Sequence, residues 1–293
     1  MAPSHVILIT GATAGIGRHA ALHLARRRHH VIATGRREAQ LATLRDEAAA
    51  ETLRLDTLVL DVTSAASIAA AARAVDTLTD GHGLDALVNN AGFGQFAPLE
   101  ALTDVDLRKQ FDTNVFGLLA VTRAFLPAMR ERRAGRIVNV SSVGGRFVFP
   151  LGGAYHATKF AVEALSDTLR RELLSFGVGV AVIEPGPIKS EFGARANDAA
   201  DAYRDPNSPY ADLLARGDKM LDLSHRFVGD PIVISKAITD AIEARRPRAR
   251  YVAPASSRLM LASLNLLPTP LVDWLVARVM FGAKPRPGAR SAA

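Results

Sequence analysis

The sequence predicts a single α/β domain in which a parallel sheet of about seven strands carries helices on both faces. Three observations lead there. Short β-branched runs alternate with longer helical segments along most of the chain. The first run opens through a glycine-rich loop into a helix, the pattern of a doubly wound, Rossmann-type sheet. Finally, 293 residues, 48% of them hydrophobic, suffice for one large core and are tight for two.

Taken in order, strands are predicted at residues 6–10, 31–34, 57–60, 86–88, 137–140 and 178–183, with a seventh at 249–253. These runs are short and apolar, as strands covered on both faces are. Helices are predicted at 19–28, 38–50, 65–78 and 162–174, where alanine runs favour them. Right-handed crossovers then complete the doubly wound sheet. Residues 190–228 break the rhythm with Asp, Ala, Arg and Pro, a length suited to a substrate lid. Residues 1–255 are read as the dinucleotide-binding catalytic domain, and 256–293 as a helical extension with a basic tail.

Composition excludes several chemistries. The chain has no cysteine, so disulfides, thiolate metal sites and cysteine nucleophiles are out, and no metal is expected. The N-terminal apolar run is too short for a secretory signal, and no apolar stretch spans a bilayer, so a cytoplasmic location is expected. The net charge is +7. Its arginines at 26–28, 130–136 and 245–250 are scattered and lack aromatic interleaving, so nucleic acid is not an expected partner. Near the C-terminus, Leu271, Val272, Leu275, Val276, Val279 and Met280 recur at helical spacing beside Trp274 and Arg278. A helix packed on the protein or on another subunit is favoured there over an interfacial membrane anchor.

The glycine loop reads Thr10-Gly11-Ala12-Thr13-Ala14-Gly15-Ile16-Gly17. Gly11 allows the turn, Gly15 lets backbone approach a pyrophosphate at the helix N-terminus, and Gly17 permits close packing. The second strand ends in Gly35-Arg36-Arg37, 18 residues beyond Gly17, where NAD-binding chains usually place an acid. A small residue followed by guanidinium groups suits a 2′-phosphate, which predicts NADP(H). Arg37 can equally well open a solvated helix. Tyr155 and Lys159 stand four apart in a helical segment and so share a face. An ammonium beside a phenol, together with the positive charge of an oxidised nicotinamide, is expected to lower its pKa and fit it for proton exchange with a carbonyl or alcohol.

These pieces, with Asp61-Val62, Asn89-Asn90-Ala91-Gly92, Asn114, Ser142 and Pro185-Gly186, occur at spacings that resemble the short-chain dehydrogenase/reductase family over residues 5–253. The resemblance implies a catalytic set of Asn114, Ser142, Tyr155 and Lys159. Ser142, 13 residues before Tyr155 and just ahead of Val143-Gly144-Gly145, fits the family serine, and Ser141 is left a structural role. The resemblance further implies that Lys159 holds the nicotinamide ribose and that Asn114 orders a water in a proton relay, although a buried amide bonded to backbone is the alternative. Cofactor contacts are implied at Gly11, Thr13, Gly15, Ile16, Gly17, Arg36, Arg37, Asp61, Val62, Asn89, Ala91, Gly92, Pro185, Gly186 and Ile188. Of these, Asn89 looks structural, and Asp61 can instead serve a helix N-terminus. A homodimer or homotetramer is also implied.

Phe93, Phe147, Phe149 and Leu151 lie in loops near this chemistry and can line an apolar pocket, with Ser142 and Tyr155 as the polar contacts. The segments around Ser142 and Tyr155 look most like the 17β-hydroxysteroid and retinol dehydrogenase branch. A bulky lipophilic carbonyl or alcohol is therefore the expected substrate. A catalytically silent NADP(H)-binding redox sensor is the alternative. His156, adjacent to Tyr155, does not share its face and reads as packing or surface.

Overall fold

The computed structural model describes residues 4–189, 192–193, 200–224, 228–264 and 266–281. Seven strands form one parallel sheet: β1 (Val6–Ile9), β2 (His30–Gly35), β3 (Leu55–Val59), β4 (Ala86–Asn89), β5 (Gly135–Val140), β6 (Val178–Pro185) and β7 (Arg250–Ala253). Their order is β3-β2-β1-β4-β5-β6-β7. The chain winds outward from β1 in one direction and from β4 in the other, so the switch point lies between these two strands.

Side chains alternate across the sheet, which splits the core in two. Ile7, Ile9, Val31, Val138 and Ile183 pack on one face against α1 (Gly15–Arg26), α2 (Glu38–Ala50) and α8 (Ile232–Glu243). Leu8, Ile32, Leu87, Ile137 and Val180 pack on the other, against α3 (Ala65–Leu78) and α5 (Leu118–Glu131). Each buried Leu or Ile contributes about 2 kcal/mol of apolar burial.

Two helices begin earlier than periodicity suggests. The glycine loop feeds directly into α1 at Gly15 rather than at 19. Helix α6 runs over Gly153–Glu172 rather than from 162, which places Tyr155 in its first turn. Helix α4 (Asp104–Phe111) continues into α5 through a single wide π-turn, Asp112–Gly117, and Asn114 sits in that turn. Of the expected lid, α7 (Ala211–Ser224) is described, while Arg195 lies outside the described residues. Helices α9 (Ala255–Leu264) and α10 (Thr269–Phe281) follow β7, and α10 packs on α7. Helix α10 buries Met280 but leaves Leu271, Trp274 and Val279 exposed. Among the described residues, no helix is long and apolar enough to cross a membrane.

Several of the arginines have partners within the protein. Arg26 pairs with Glu51, Arg27 with Glu243 and Arg18 with Glu47. Arg132 donates to the carbonyls of His82 and Leu84, Arg133 to that of Ser175, and Arg136 to that of Ala244.

Candidate active site

The loops after β1, β4, β5 and β6 meet at the carboxyl edge of the sheet, on either side of the switch point. Thr10 ties the first two together. Its hydroxyl accepts from the backbone N–H of both Asn90 and Ala91, each at 2.9 Å. The Asn90 side chain donates back to the carbonyls of Thr10 (2.9 Å) and Gly11 (3.0 Å). That crossing explains Gly17, where a Cβ would stand 2.4 Å from both Asn90 Nδ2 and Gly11 O. Gly11 has φ +65°, and a Cβ there would meet Ala91 Cα at 2.9 Å. The bracing role of Asn90 is not visible from its sequence position. Its signal is that a polar side chain follows Asn89 directly at a strand end.

Helix α1 begins at Ala14–Gly15 with no side-chain cap and no acid in its first turn. Its amino-terminal N–H groups are therefore left for an anion. Thr13 packs beside Gly35, where a Cβ would approach its Cγ2 to 2.5 Å. Arg36 and Arg37 follow, exposed, and Arg37 precedes the first residue of α2. Asp61 accepts from the N–H (2.9 Å) and hydroxyl (2.7 Å) of Thr63. Burial pushes its pKa up, but these bonds and the Arg36 charge outweigh that and hold it low. The cap of α3 is Ser64, so Asp61 does not serve that helix end. Val62 is buried and packs over Gly117.

Asn89 departs from the predicted cofactor contact. Its amide donates to Thr122 and Asn139, both at 2.9 Å, and it is buried behind the sheet. Its side chain joins α5 to β4 and β5.

The residues expected to react gather at the end of β5 and the start of α6. Ser142 is extended, and its hydroxyl accepts the Gly144 N–H at 3.0 Å and lies near enough to the Tyr155 phenol to act on its pKa. Ser141 turns inward toward Glu163. Lys159 Nζ donates to Val140 O at 2.9 Å and stands 5.7 Å from the Tyr155 ring centre. Asn114 bonds the Phe93 backbone at both ends, accepting from N–H (3.1 Å) and donating to O (3.0 Å), and donates to Thr158 Oγ1 (3.1 Å). The buried-amide alternative for Asn114 is thus present in full.

The expected lowering of the Tyr155 pKa is not met by the chain's own groups. Burial pushes the phenol up to about 12, only partly offset by the Ser142 hydrogen bond. Burial likewise pulls Lys159 down to about 8, against the raising influence of Glu163. Desolvation opposes both charged forms.

Two phenyl rings flank Tyr155, Phe96 at 5.7 Å and Phe192 at 5.4 Å, and Phe149 stacks on Phe96 at 6.0 Å. Of the predicted aromatic residues, Phe149 joins this wall. Phe93 lies instead with its ring 6.0 Å from the Lys109 ammonium, and Phe147 is half-buried without a ring partner among the described residues. Phe96 was not anticipated, although its place in Gly94-Gln95-Phe96 after the β4 loop is the signal.

After β6, Gly186 N–H donates to Ala253 O at 2.8 Å, and Pro185 pairs with Ala253 in the sheet. Ile188 forms a parallel bridge with Gly229. The bonds of that bridge are Gly229 N–H to Pro187 O and Lys189 N–H to Gly229 O. The N–H and C=O of Ile188 itself therefore point away from Gly229.

Helix α6 is held to the sheet by a buried charge network. Arg250 Nε reaches Glu163 (3.0 Å) and Glu184 (3.1 Å), and its Nη2 reaches Asp167 (3.0 Å). Arg146 also reaches Glu184 at 3.3 Å. Burial pushes the Glu163 and Glu184 carboxyls upward. Arg250→Ala is expected to destabilise the protein by about 3 kcal/mol at pH 7, because it strands buried carboxylates. Urea unfolding measures this, and the loss should shrink as pH falls and the carboxyls protonate.

A short chain dehydrogenase family model matches residues 5–201. The chain belongs to the short-chain dehydrogenases. This dehydrogenase is 37% identical to human retinol dehydrogenase 16, over 96% of its own length and 89% of that protein's. It is 34% identical to an NADPH-dependent 3-dehydrocapnine reductase of Ornithobacterium rhinotracheale, over 74% of its own length and 77% of that protein's. A short-chain dehydrogenase crystal structure from Streptomyces avermitilis superposes with a TM-score of 0.77 at 32% identity, covering 96% of this chain and 98% of that one. The protein is accordingly a nicotinamide-dependent oxidoreductase of alcohols and carbonyls. A silent sensor is not favoured by relatives that are reductases and dehydrogenases.

Proposed function

We propose that this dehydrogenase uses NADP(H) to interconvert a bulky lipophilic carbonyl and its secondary alcohol. The observation that carries this reading is Ser142 beside the buried Tyr155 phenol, with Phe96 and Phe192 flanking that ring and Phe149 stacked on Phe96. Polar groups converging inside an aromatic lining suit an apolar substrate with one reactive oxygen. The relatives named for retinol and 3-dehydrocapnine agree with it.

The residues present fit a dinucleotide. The uncapped N-terminus of α1 takes the pyrophosphate, and the Gly11 and Gly17 positions leave room that a Cβ would fill. Gly35 and Arg36 take the adenosine 2′-phosphate, Arg37 stands beside them, and Asp61 with the Val62 backbone takes the adenine. Thr13, Gly15, Ile16, Ala91 and Gly92 line the approach. The outward-facing Ile188 backbone after Pro185-Gly186 suits the carboxamide. When bound, the nicotinamide supplies or accepts the hydride. Tyr155 Oη delivers the proton to the substrate oxygen, or removes it in the reverse direction. Ser142 Oγ steadies that oxygen. Lys159 Nζ holds positive charge below Tyr155 and takes the ribose hydroxyls, and Asn114 fixes the loop around it.

Arg36→Ala tests the cofactor assignment. Loss of a charge-assisted bond should raise KM for NADPH by about 10-fold or more and leave KM for NADH nearly unchanged. Equal effects on both would remove Arg36 from the phosphate site. Exposed Val105, Phe116 and Phe160 on the α4–α6 side support a homodimer or homotetramer.

A further inference from the structure

His156 takes no part in the chemistry above, yet it is 1% exposed. Its Nδ1 lies 2.8 Å from the Gly144 carbonyl oxygen. Its Nε2 accepts from the Phe149 backbone N–H at 3.4 Å. A carbonyl can only accept and an amide N–H can only donate, so these partners select the neutral imidazole with its proton on Nδ1. One side chain thereby bridges both ends of the loop that joins Ser142 to α6.

The loop is shaped around this ring. A Cβ at Gly144 would stand 2.7 Å from Nδ1, and one at Gly152 would stand 2.5 Å from Nε2. The Phe149 ring meets the imidazole edge-on, with centres 4.3 Å apart. Phe149 is 38% exposed, and its other ring partner is Phe96 at 6.0 Å. The Tyr155 ring is 5.8 Å from the imidazole and is the titratable group beside it on α6. Burial and the Gly144 carbonyl are the influences on its titration, and no carboxylate or ammonium among the described residues contributes.

We propose that His156 is the positioning residue of the substrate site: its imidazole staples the 143–152 loop to α6 and fixes Phe149, and so sets preference for bulky over small carbonyls. The proposal rests on the reading of Phe149 as a substrate wall. A proton on Nε2 would turn its acceptor into a donor facing the Phe149 N–H. The staple is then lost at Phe149 and kept at Gly144. Burial lowers the His156 pKa from 6.5, with the Gly144 bond opposing, so this change belongs to acid pH.

The experiment measures kcat and KM for NADPH-dependent reduction of a polycyclic ketone and of a short aliphatic aldehyde. It uses the wild-type protein, His156→Asn, His156→Phe and Phe149→Ala. Asparagine can still donate to Gly144 but cannot reach Phe149, and phenylalanine keeps ring volume without either bond. Both His156 variants should lower the bulky-over-short ratio of kcat/KM by about 10-fold, the worth of one hydrogen bond, with the change carried mainly by KM for the ketone. In the wild-type protein the same ratio should fall as pH drops below 6.5, the ordinary histidine value. This profile decides the matter even where a variant fails to fold. A ratio unchanged by His156→Asn and by acid pH overturns the proposal. If Phe149→Ala also leaves the ratio unchanged, the wall reading itself is what fails. If Phe149→Ala shifts it and the His156 variants do not, only the staple fails.

Discussion

Tyr155→Phe is expected to lower kcat for carbonyl reduction by about 10³-fold while the protein folds and still binds NADPH. The variant removes one oxygen, the Oη beside Ser142 on a buried ring. The phosphate loop and Arg36 are untouched. The pH dependence follows from the same burial. With its pKa pushed to about 12, Tyr155 stays protonated across neutral pH and is ready to act as an acid. Removing a proton from an alcohol needs the phenolate, so oxidation should accelerate as pH rises while reduction does not. Steady-state rates in both directions between pH 6 and 10 check this. Equal rates for the Tyr155→Phe variant and the wild-type protein would remove Tyr155 from the reaction.

Lys159→Met should separate stability from activity. Burial lowers the Lys159 pKa to about 8 from 10.5, so folding at neutral pH must enclose a poorly solvated ammonium. The sign is that of a depressed base: the penalty is complete below about pH 8 and is relieved as pH climbs toward 10.5. Methionine fills similar space without the charge, at the cost of the bond to Val140 O. The variant should therefore be about 2 kcal/mol more stable than wild type at pH 7, and the gap should close by about pH 10. Its turnover should fall more than about 100-fold, since the charge beneath Tyr155 is gone. Urea midpoints at the two pH values, with the m-value held constant, measure it. A less stable variant at pH 7 would contradict the burial account.

The sheet was legible because its strands are buried on both faces and read as unbroken apolar runs. Helices α2 and α3 match their predicted bounds for a similar reason, with a solvated face and few competing signals. Helix α6 was legible as a helical segment around Tyr155 and Lys159 but without its start, because Gly152 at the N-cap and Gly153 in the first turn are weak helix formers. The reacting set Ser142, Tyr155 and Lys159 could be named from spacing and resemblance. What surrounds it was legible only in part: Phe149 could be named, and Phe96 could not. Phe96 and Phe192 lie 59 and 37 residues from Tyr155, counting back to 96 and forward to 192, and only the sheet edge brings them together. His156 packs, one of the two places its position off the face of Tyr155 allowed, and that same geometry turns it into the neighbouring loop. The Glu163–Arg250–Glu184 network joins three elements through charges that read in sequence as ordinary surface polarity.

The most direct test of the central claim is single-turnover mixing of the protein, NADPH and a polycyclic ketone, following nicotinamide absorbance with NADH and Tyr155→Phe as the two comparisons. The account predicts that NADPH is oxidised with one alcohol formed per cofactor, that NADH is used at least about 10-fold less efficiently, and that the variant shows binding without oxidation. NADPH binding with no ketone reduced by the wild-type protein, or a preference for NADH, would contradict it.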